Sequence, residues 1–149
     1  MRVTTWTEYS LIIVINLAKR RRAGHGALSA RELADSERLP ADYVEQILLR
    51  LRRAGLVDSI RGAKGGYTLA REAERLTVHD VMTASERQTF EINCENHQVD
   101  PERCSSSAAC SIRPVWVSLQ RRIDRFLESI TVADLMQEES KVTEVVALV

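Results

Sequence analysis

The feature that most constrains the fold is one amphipathic helix followed at once by two short strands around a glycine-rich turn. Between residues 40 and 54 the apolar side chains fall at the spacing i, i+3, i+4, i+7, which predicts a helix with one buried face. They are Val44, Ile47, Leu48 and Leu51. Gly55 follows as a C-terminal stop. Residues 56–60 and 67–69 then alternate like strands around a turn with glycines at 62, 65 and 66, which predicts a β-hairpin.

Two further helices are predicted before this pair of elements. Thr5 and Glu8 have the spacing of a capping box, and the residues from 5 to 19 are apolar nearly all round, so we expect burial on more than one side. Ser29 and Glu32 repeat the capping-box spacing, and Pro40 suits the first position of the third helix. The expected fold is mainly α with a small β-hairpin wing, in the order of a winged helix-turn-helix.

A long helix is predicted in the second half of the chain, beginning at Pro114 and reaching about residue 130. Its apolar residues recur at alternating steps of three and four, which is typical of a coiled-coil seam. They are Trp116, Leu119, Ile123, Phe126 and Ile130. A seam that projects from a small domain needs a partner surface, and a second copy is the simplest source, so we expect a homodimer. Residues 131–136 predict one more short helix, and the remaining tail shows no clear pattern.

These patterns divide the chain into four parts. Residues 1–82 are the expected winged helix-turn-helix DNA-binding domain, which ends in a short helix near residues 78–82. Residues 83–112 are a polar loop, residues 113–136 hold the dimerisation helix and the short closing helix, and residues 137–149 are the tail. The net charge of zero is uneven, because residues 1–82 carry 14 basic and 10 acidic side chains and residues 83–149 carry 7 and 11. The first part is therefore the one suited to a polyanion.

All three cysteines lie in the polar loop: Cys94, Cys104 and Cys110. The longest apolar run, residues 11–15, is too short to span a bilayer, and no signal-peptide pattern is present, so we expect a cytoplasmic protein that does not contact a membrane. In that compartment clustered cysteines more often serve metal or redox chemistry than structural bridges. Their spacing is too open for a zinc knuckle. Iron–sulfur ligation, thiols in a mobile loop, and a reversible disulfide with one spare thiol all stay open.

The third predicted helix and the hairpin contain the candidate DNA contacts. Residues near the N-terminal end of that helix are expected to reach base edges, and arginines further along to meet phosphates. The first group is Asp42, Tyr43, Glu45 and Gln46, and the second is Arg50 and Arg53. In the hairpin, Arg61 and Lys64 are expected against the backbone or in the minor groove. The alternative is an ordinary solvated helix face and glycines that serve turn geometry alone.

Several segments together resemble the Rrf-type family of bacterial winged-helix transcription regulators, which includes the IscR-, NsrR- and RirA-like iron–sulfur regulators. They read MRVTTWTEYSL, YVEQILLRLRRAGLV, SIRGAKGGYTL and FLESITVADLM, with the cysteine loop between the last two. The resemblance spans about residues 1–136. It implies a homodimer with a long crossing helix, a palindromic operator in double-stranded DNA, and an iron–sulfur cluster held by the three cysteines. Operator affinity would then respond to iron, redox state or nitric oxide.

The fourth ligand is where this sequence departs from part of the family. IscR-like members place a histidine three residues after the last cysteine, and Arg113 stands there in this chain. NsrR-like members use an acidic residue at the position that matches Glu8, so the resemblance implies Glu8 of the partner chain as the fourth ligand and favours [4Fe–4S] slightly over [2Fe–2S]. The competing role for Glu8 is the capping box with Thr5. His97, inside the loop, is the next candidate.

Two other functions stay open from sequence. One is a cluster-free regulator of the same fold that is controlled by its thiols or by a partner protein. The other is a small iron–sulfur redox protein, for which a DNA-reading helix would serve no purpose. The sequence shows neither a substrate pocket nor a nucleophile–base pair, so we do not expect an enzyme.

Overall fold

The computed structural model describes residues 3–86, 100, 102, 104 and 110–149. The helices are α1 (Thr5–Arg22), α2 (Ala30–Glu37), α3 (Ala41–Arg53), α4 (Val78–Glu86), α5 (Arg113–Glu128), α6 (Val132–Leu135) and α7 (Glu139–Ala147), with a 3-10 turn at Ala73–Arg75. The strands are β1 (Val57–Ile60) and β2 (Gly66–Leu69). A mainly α chain with one hairpin is therefore confirmed. Over the described ranges, none of the helices is long and apolar enough to cross a bilayer.

Helix α1 begins at the predicted residue but not with the predicted cap. Thr4 is the N-cap residue and, among the described residues, makes no side-chain capping hydrogen bond. Its hydroxyl is buried and has no hydrogen-bond partner in that part of the chain. The expected capping box between Thr5 and Glu8 is wrong, because Thr5 already lies inside the helix and Glu8 is exposed in its first turn. The helix also runs three residues beyond the predicted end at Lys19.

Helices α2 and α3 form the helix-turn-helix. Ser29 caps α2 through a reciprocal capping box with Glu32, as predicted. The Ser29 hydroxyl and backbone hydrogen bonds lower the pKa of the Glu32 carboxyl, because they stabilise its charged form. Pro40 is the N-cap residue of α3, one position before the expected place. The predicted face of α3 is completely buried in the core: Val44, Ile47, Leu48 and Leu51.

The wing is an antiparallel pair in which Val57 faces Leu69 and Ile60 faces Gly66. Tyr67 also exchanges backbone hydrogen bonds with Leu28, at 2.7 and 3.1 Å, which ties the hairpin to the segment before α2. Gly66 permits this approach. Its φ is +149°, and a Cβ there would lie 2.3 Å from the Leu28 carbonyl carbon and oxygen.

The segment after α5 returns to the core. The Val78 amide donates to the Ile130 carbonyl at 2.9 Å, and the Val132 amide donates to the Leu76 carbonyl at 2.7 Å. Val132 is completely buried and Ile130 nearly so. The assignment of Ile130 to the seam was therefore wrong, because α5 ends at Glu128 and the chain then turns inward. Helix α6 is anchored in the core through Val132.

The rest of the predicted seam is on the surface. Within the described residues, no side chain of α5 is buried. Trp116, Leu119 and Phe126 are each about 40% exposed. The tail, for which no pattern was predicted, contains helix α7; its low helix propensity explains why sequence reasoning missed it.

Candidate nucleic-acid interface and cysteine segment

Helix α3 turns its polar side away from the core. Since its four apolar side chains point inward, the intervening positions face outward. Asp42, Glu45, Gln46 and Arg53 are all exposed. Leu49 lies among them and is 37% exposed. This outward face carries hydrogen-bond donors and acceptors of the kind that read base edges. Arg53 adds a positive charge of the kind that contacts phosphates.

Tyr43 is held by aromatic contacts with α1. Its ring centroid lies 4.9 Å from that of Trp6 in a tilted arrangement, and 5.9 Å from that of Tyr9 in an edge-to-face one. Both distances are in the favourable range for aromatic pairs. Tyr43 is still 39% exposed. Helix α1 therefore positions Tyr43, one of the predicted base contacts. The sequence pattern of α1 did not indicate this role.

Arg50 is engaged within the protein. Its guanidinium carbon lies 4.1 Å from the Trp6 ring centroid, which is a cation–π contact. Its Nη1 also donates to the Ser85 carbonyl at the end of α4. Sequence reasoning placed Arg50 with Arg53 as a phosphate contact. In the structure they differ, since Arg50 joins three helices whereas Arg53 lies on the exposed face.

The wing presents its predicted cations to the outside. Arg61 and Lys64 are exposed in the turn between β1 and β2. The turn is tight, with the Gly65 amide donating to the Gly62 carbonyl at 2.9 Å. Arg52, which was not among the predicted site residues, reaches from α3 to the Ser59 hydroxyl of β1 at 3.3 Å. This hydrogen bond links α3 to the wing.

The end of α4 is bound to the start of α1. The Thr7 and Ser85 hydroxyl oxygens lie 3.4 Å apart in a buried position. Thr7 also donates to the Glu86 carboxylate at 3.2 Å. Because Arg50 holds the Ser85 carbonyl as well, the last turn of α4 contacts both α1 and α3. The polar loop was predicted to begin at residue 83, but α4 continues to Glu86, and the residues from 87 to 99 lie outside the described ranges.

Two of the three cysteines fall within the described residues. Cys104 and Cys110 are half-buried in the segment before α5. The Cys104 amide donates to the Asp100 carbonyl at 2.8 Å, and Arg113 donates to the Cys104 carbonyl at 3.3 Å. Arg113, which stands where part of the family has histidine, therefore links this segment to α5. Cys94 and His97 lie outside the described residues.

The structure does not bring the predicted ligands together within the part that it describes. Among those residues there is no group of three histidine, cysteine or acidic side chains placed to hold a metal ion. The donor types themselves fit an iron–sulfur cluster, because soft thiolates bind iron and a carboxylate can complete its coordination. The two described thiols are six positions apart and precede the same helix.

The chain has a helix, then a helix-turn-helix, then a hairpin. The outer face of α3 is polar, and the hairpin exposes cations. This arrangement defines a winged helix-turn-helix protein of the DNA-binding class. The model of the Rrf2 family, described as iron-dependent transcriptional regulators, matches residues 3–138. The chain therefore belongs to the Rrf2 family.

Relatives and solved structures agree with this assignment. The regulator IscR of Sodalis glossinidius is 31% identical over 139 residues, which cover 93% of this chain and 81% of that protein. The structure of T. potens IscR has a TM-score of 0.70 at 31% identity and covers 94% of this chain and 90% of its own. CymR, the global cysteine regulator of B. subtilis, has a TM-score of 0.68 at 32% identity and covers 91% and 96%. This chain is thus an Rrf2-family transcriptional regulator similar to both IscR and CymR.

Proposed function

We propose that the protein acts in the cytoplasm as a homodimeric regulator that binds a palindromic operator with an affinity set by an iron–sulfur cluster. The observation that carries the DNA-binding part is the outward face of α3, which lies beside a wing with two exposed cations. Such a unit reads one half-site, so a symmetric dimer reads a palindrome.

The residues of this surface take different roles in the proposal. Glu45 accepts from a cytosine amino group and Gln46 pairs with adenine, while Asp42 and Tyr43 contact the neighbouring edges. Arg53 contacts a phosphate, and Arg61 and Lys64 hold the wing against the backbone or in the minor groove. The phosphate role expected for both Arg50 and Arg53 is proposed for Arg53 alone, because the Arg50 guanidinium is engaged by Trp6 and Ser85.

The dimer is proposed from the exposed stripe on α5. Trp116, Leu119 and Phe126 are large apolar side chains at helical spacing, and each is about 40% exposed. A stripe of this kind on an exposed helix is the usual contact surface of a helical dimer. A second copy would cover it by the same residues, which is what two-fold symmetry requires.

The cluster would be held by Cys94, Cys104, Cys110 and one non-cysteine ligand, proposed as Glu8 of the partner protomer, with His97 as the second candidate. When bound, an iron–sulfur cluster supplies redox and ligand-exchange chemistry that responds to iron, redox state or nitric oxide. The chain's own contacts provide the route to DNA. The last turn of α4 binds α1 through Thr7 and α3 through Arg50, so a displacement there would move α3.

Anaerobic purification tests the cofactor. We expect a coloured protein that contains iron and acid-labile sulfide, and Mössbauer spectroscopy will distinguish [4Fe–4S] from [2Fe–2S] and detect the non-cysteine ligand. Cys104→Ala should lose the cluster and remain a folded dimer, since the core lies elsewhere. A colourless, iron-free protein after anaerobic reconstitution contradicts the cluster. Operator binding is measured in parallel with the palindrome and a scrambled duplex across a salt series; binding indifferent to both sequence and salt contradicts the regulator.

A thiol-controlled regulator is the second candidate, favoured by the similarity to the global cysteine regulator CymR. Cys104 and Cys110 are close in sequence, which allows control by thiol oxidation without metal. Iron-free protein whose operator affinity changes on oxidation, and recovers with reductant, would support this candidate over the cluster.

A further inference from the structure

The turn between α2 and α3 contains an arginine in a backbone conformation that favours glycine. Arg38 is the C-cap residue of α2 and has φ 55° and ψ 40°, which is the left-handed region. Within the described residues, Arg38 is the one non-glycine residue with a positive φ. The Cβ of an L-residue is crowded in this conformation, so glycine is the residue most often found there at the end of a helix. Arginine at position 38 is therefore strained where glycine would not be.

The surrounding fold requires this conformation whichever residue occupies position 38. The Arg38 and Leu39 amides both donate to the Ala34 carbonyl, which reverses the chain at the end of α2. Leu39 is half-buried against the core, and Pro40 follows it as the N-cap residue of α3. These contacts explain the backbone conformation of the turn. They give no reason for an arginine side chain.

The Arg38 side chain also lacks a partner in its own protomer. It is exposed and, among the described residues, makes no hydrogen bond, ion pair or cation–π contact. The two acidic residues nearest to it in sequence are engaged elsewhere. Asp35 lies 4.0 Å from Arg31, and Glu37 accepts a hydrogen bond from Asn16. The positive charge of Arg38 is therefore available to a ligand outside the protomer.

The position of the turn determines which ligand this charge can meet. In a helix-turn-helix the first helix crosses the phosphate backbone, and the N-terminal end of the second contacts base edges. The turn that joins them therefore runs between phosphates and bases. Arg38 precedes Asp42 and Tyr43, two of the proposed base contacts, by four and five residues. Asp42 is exposed as well, but the ion pairs of the described residues do not join it to Arg38.

We propose that Arg38 of each protomer contacts a DNA phosphate, and that the chain retains arginine in a strained conformation for the sake of this contact. The proposal rests on the operator binding of the proposed function. A guanidinium is always charged and matches a phosphate in a bidentate geometry. The contact fixes the position of the helix-turn-helix on the duplex and does not read base sequence.

The test measures binding of the anaerobically purified, full-length protein to the operator palindrome across a salt series. Arg38→Gly should reduce the slope of log K against log salt by about 2, because one phosphate contact is lost from each protomer. Its affinity should fall by the same factor for the operator and for a base-substituted operator, since the contact is independent of sequence. Arg38→Lys keeps the charge and should keep the wild-type slope.

Stability provides a second readout, and an arginine elsewhere provides the control. Arg38→Gly relieves the crowded Cβ and should raise Tm by about 2–4 °C at a fixed protein concentration. Arg38→Lys should leave Tm unchanged, because lysine has the same Cβ. Arg75→Ala removes the same charge from the exposed 3-10 turn, outside the helix-turn-helix and the wing. It should leave the salt slope unchanged.

Each outcome supports or overturns a particular claim. Wild-type binding that is indifferent to salt and sequence overturns the proposed DNA binding and the Arg38 contact together. A steep wild-type slope that Arg38→Gly leaves intact overturns the Arg38 contact alone. An equal reduction by Arg75→Ala assigns the effect to net charge, and the Arg38 contact is then wrong. A lower Tm with Arg38→Gly shows that the arginine supports the fold, which also overturns the proposal.

Discussion

Arg50 and Arg53 lie one helical turn apart on α3, and replacing each by alanine should affect different properties. Arg50 makes a charged hydrogen bond to the Ser85 carbonyl and a cation–π contact with Trp6. Hydrogen bonds to charged groups contribute about 1.5–3 kcal/mol, and an exposed cation–π contact adds about 0.5–1 kcal/mol. Because the Arg50 side chain is exposed, we take the lower ends of both ranges.

Arg50→Ala should therefore lower the free energy of unfolding by about 2 kcal/mol. For a chain of this size that corresponds to a fall in Tm of roughly 4–8 °C. Arg53→Ala, on the exposed face, should change Tm by less than about 1–2 °C. Scanning calorimetry at one fixed protein concentration compares the variants, since the stability of a dimer depends on concentration.

DNA binding should show the reverse order. Each phosphate contact contributes about 0.9 to the slope of log K against log salt, so Arg53→Ala in a dimer should reduce that slope by about 2. Arg50→Ala should leave the slope unchanged, even where the affinity falls because Tyr43 is held less firmly. Arg50→Lys keeps the charge but loses the planar group, and it should lower Tm as well. If Arg50→Ala keeps the wild-type Tm and reduces the salt slope as Arg53→Ala does, Arg50 is a phosphate contact and our reasoning is wrong.

Three further predictions concern the fold. Leu48→Ala in the buried face of α3 should cost about 2–5 kcal/mol by leaving a cavity, as measured by denaturant unfolding; a loss under about 1 kcal/mol would place Leu48 outside the core. Gly66→Ala should break the Leu28–Tyr67 bridge and weaken operator binding, with Gly26→Ala as control because a Cβ there meets nothing within 4 Å; equal affinities would show that the wing tolerates the shift. The lowered pKa of Glu32 means that its cap stabilises α2 above the ordinary carboxyl pKa and is lost as pH falls through the lowered value; an NMR titration that gives an ordinary pKa, or one unchanged by Ser29→Ala, would contradict this.

The winged-helix order was predictable because its signals are local. The inward face of α3 repeats at helical spacing within 13 residues, and Ser29 caps α2 through a partner three positions away. The hairpin depends on glycines within its own turn. Such patterns depend on backbone geometry over a few residues, so tertiary contacts had little to change.

The predicted base and wing contacts are all on the surface, as their sequence pattern required. Their roles as DNA contacts stay predictions. The ligand set of the cluster also stays a prediction. Glu8 and the cysteines are about 90 to 100 positions apart in sequence, so whether they meet depends on how the chain folds and pairs with its partner. Local spacing carries no signal for such a contact.

Local pattern therefore determined the helices and strands of the winged unit, which side of α3 faces inward, and which residues are candidates to meet DNA. Tertiary structure alone decided that Ile130 leaves the seam for the core and that Arg50 stacks on Trp6 and holds α4. Each of these depends on residues distant in sequence that come together only when the core is packed. Arg50 and Arg53 have the same side chain on the same helix, and the presence of Trp6 and Ser85 beside Arg50 gives the two side chains different surroundings.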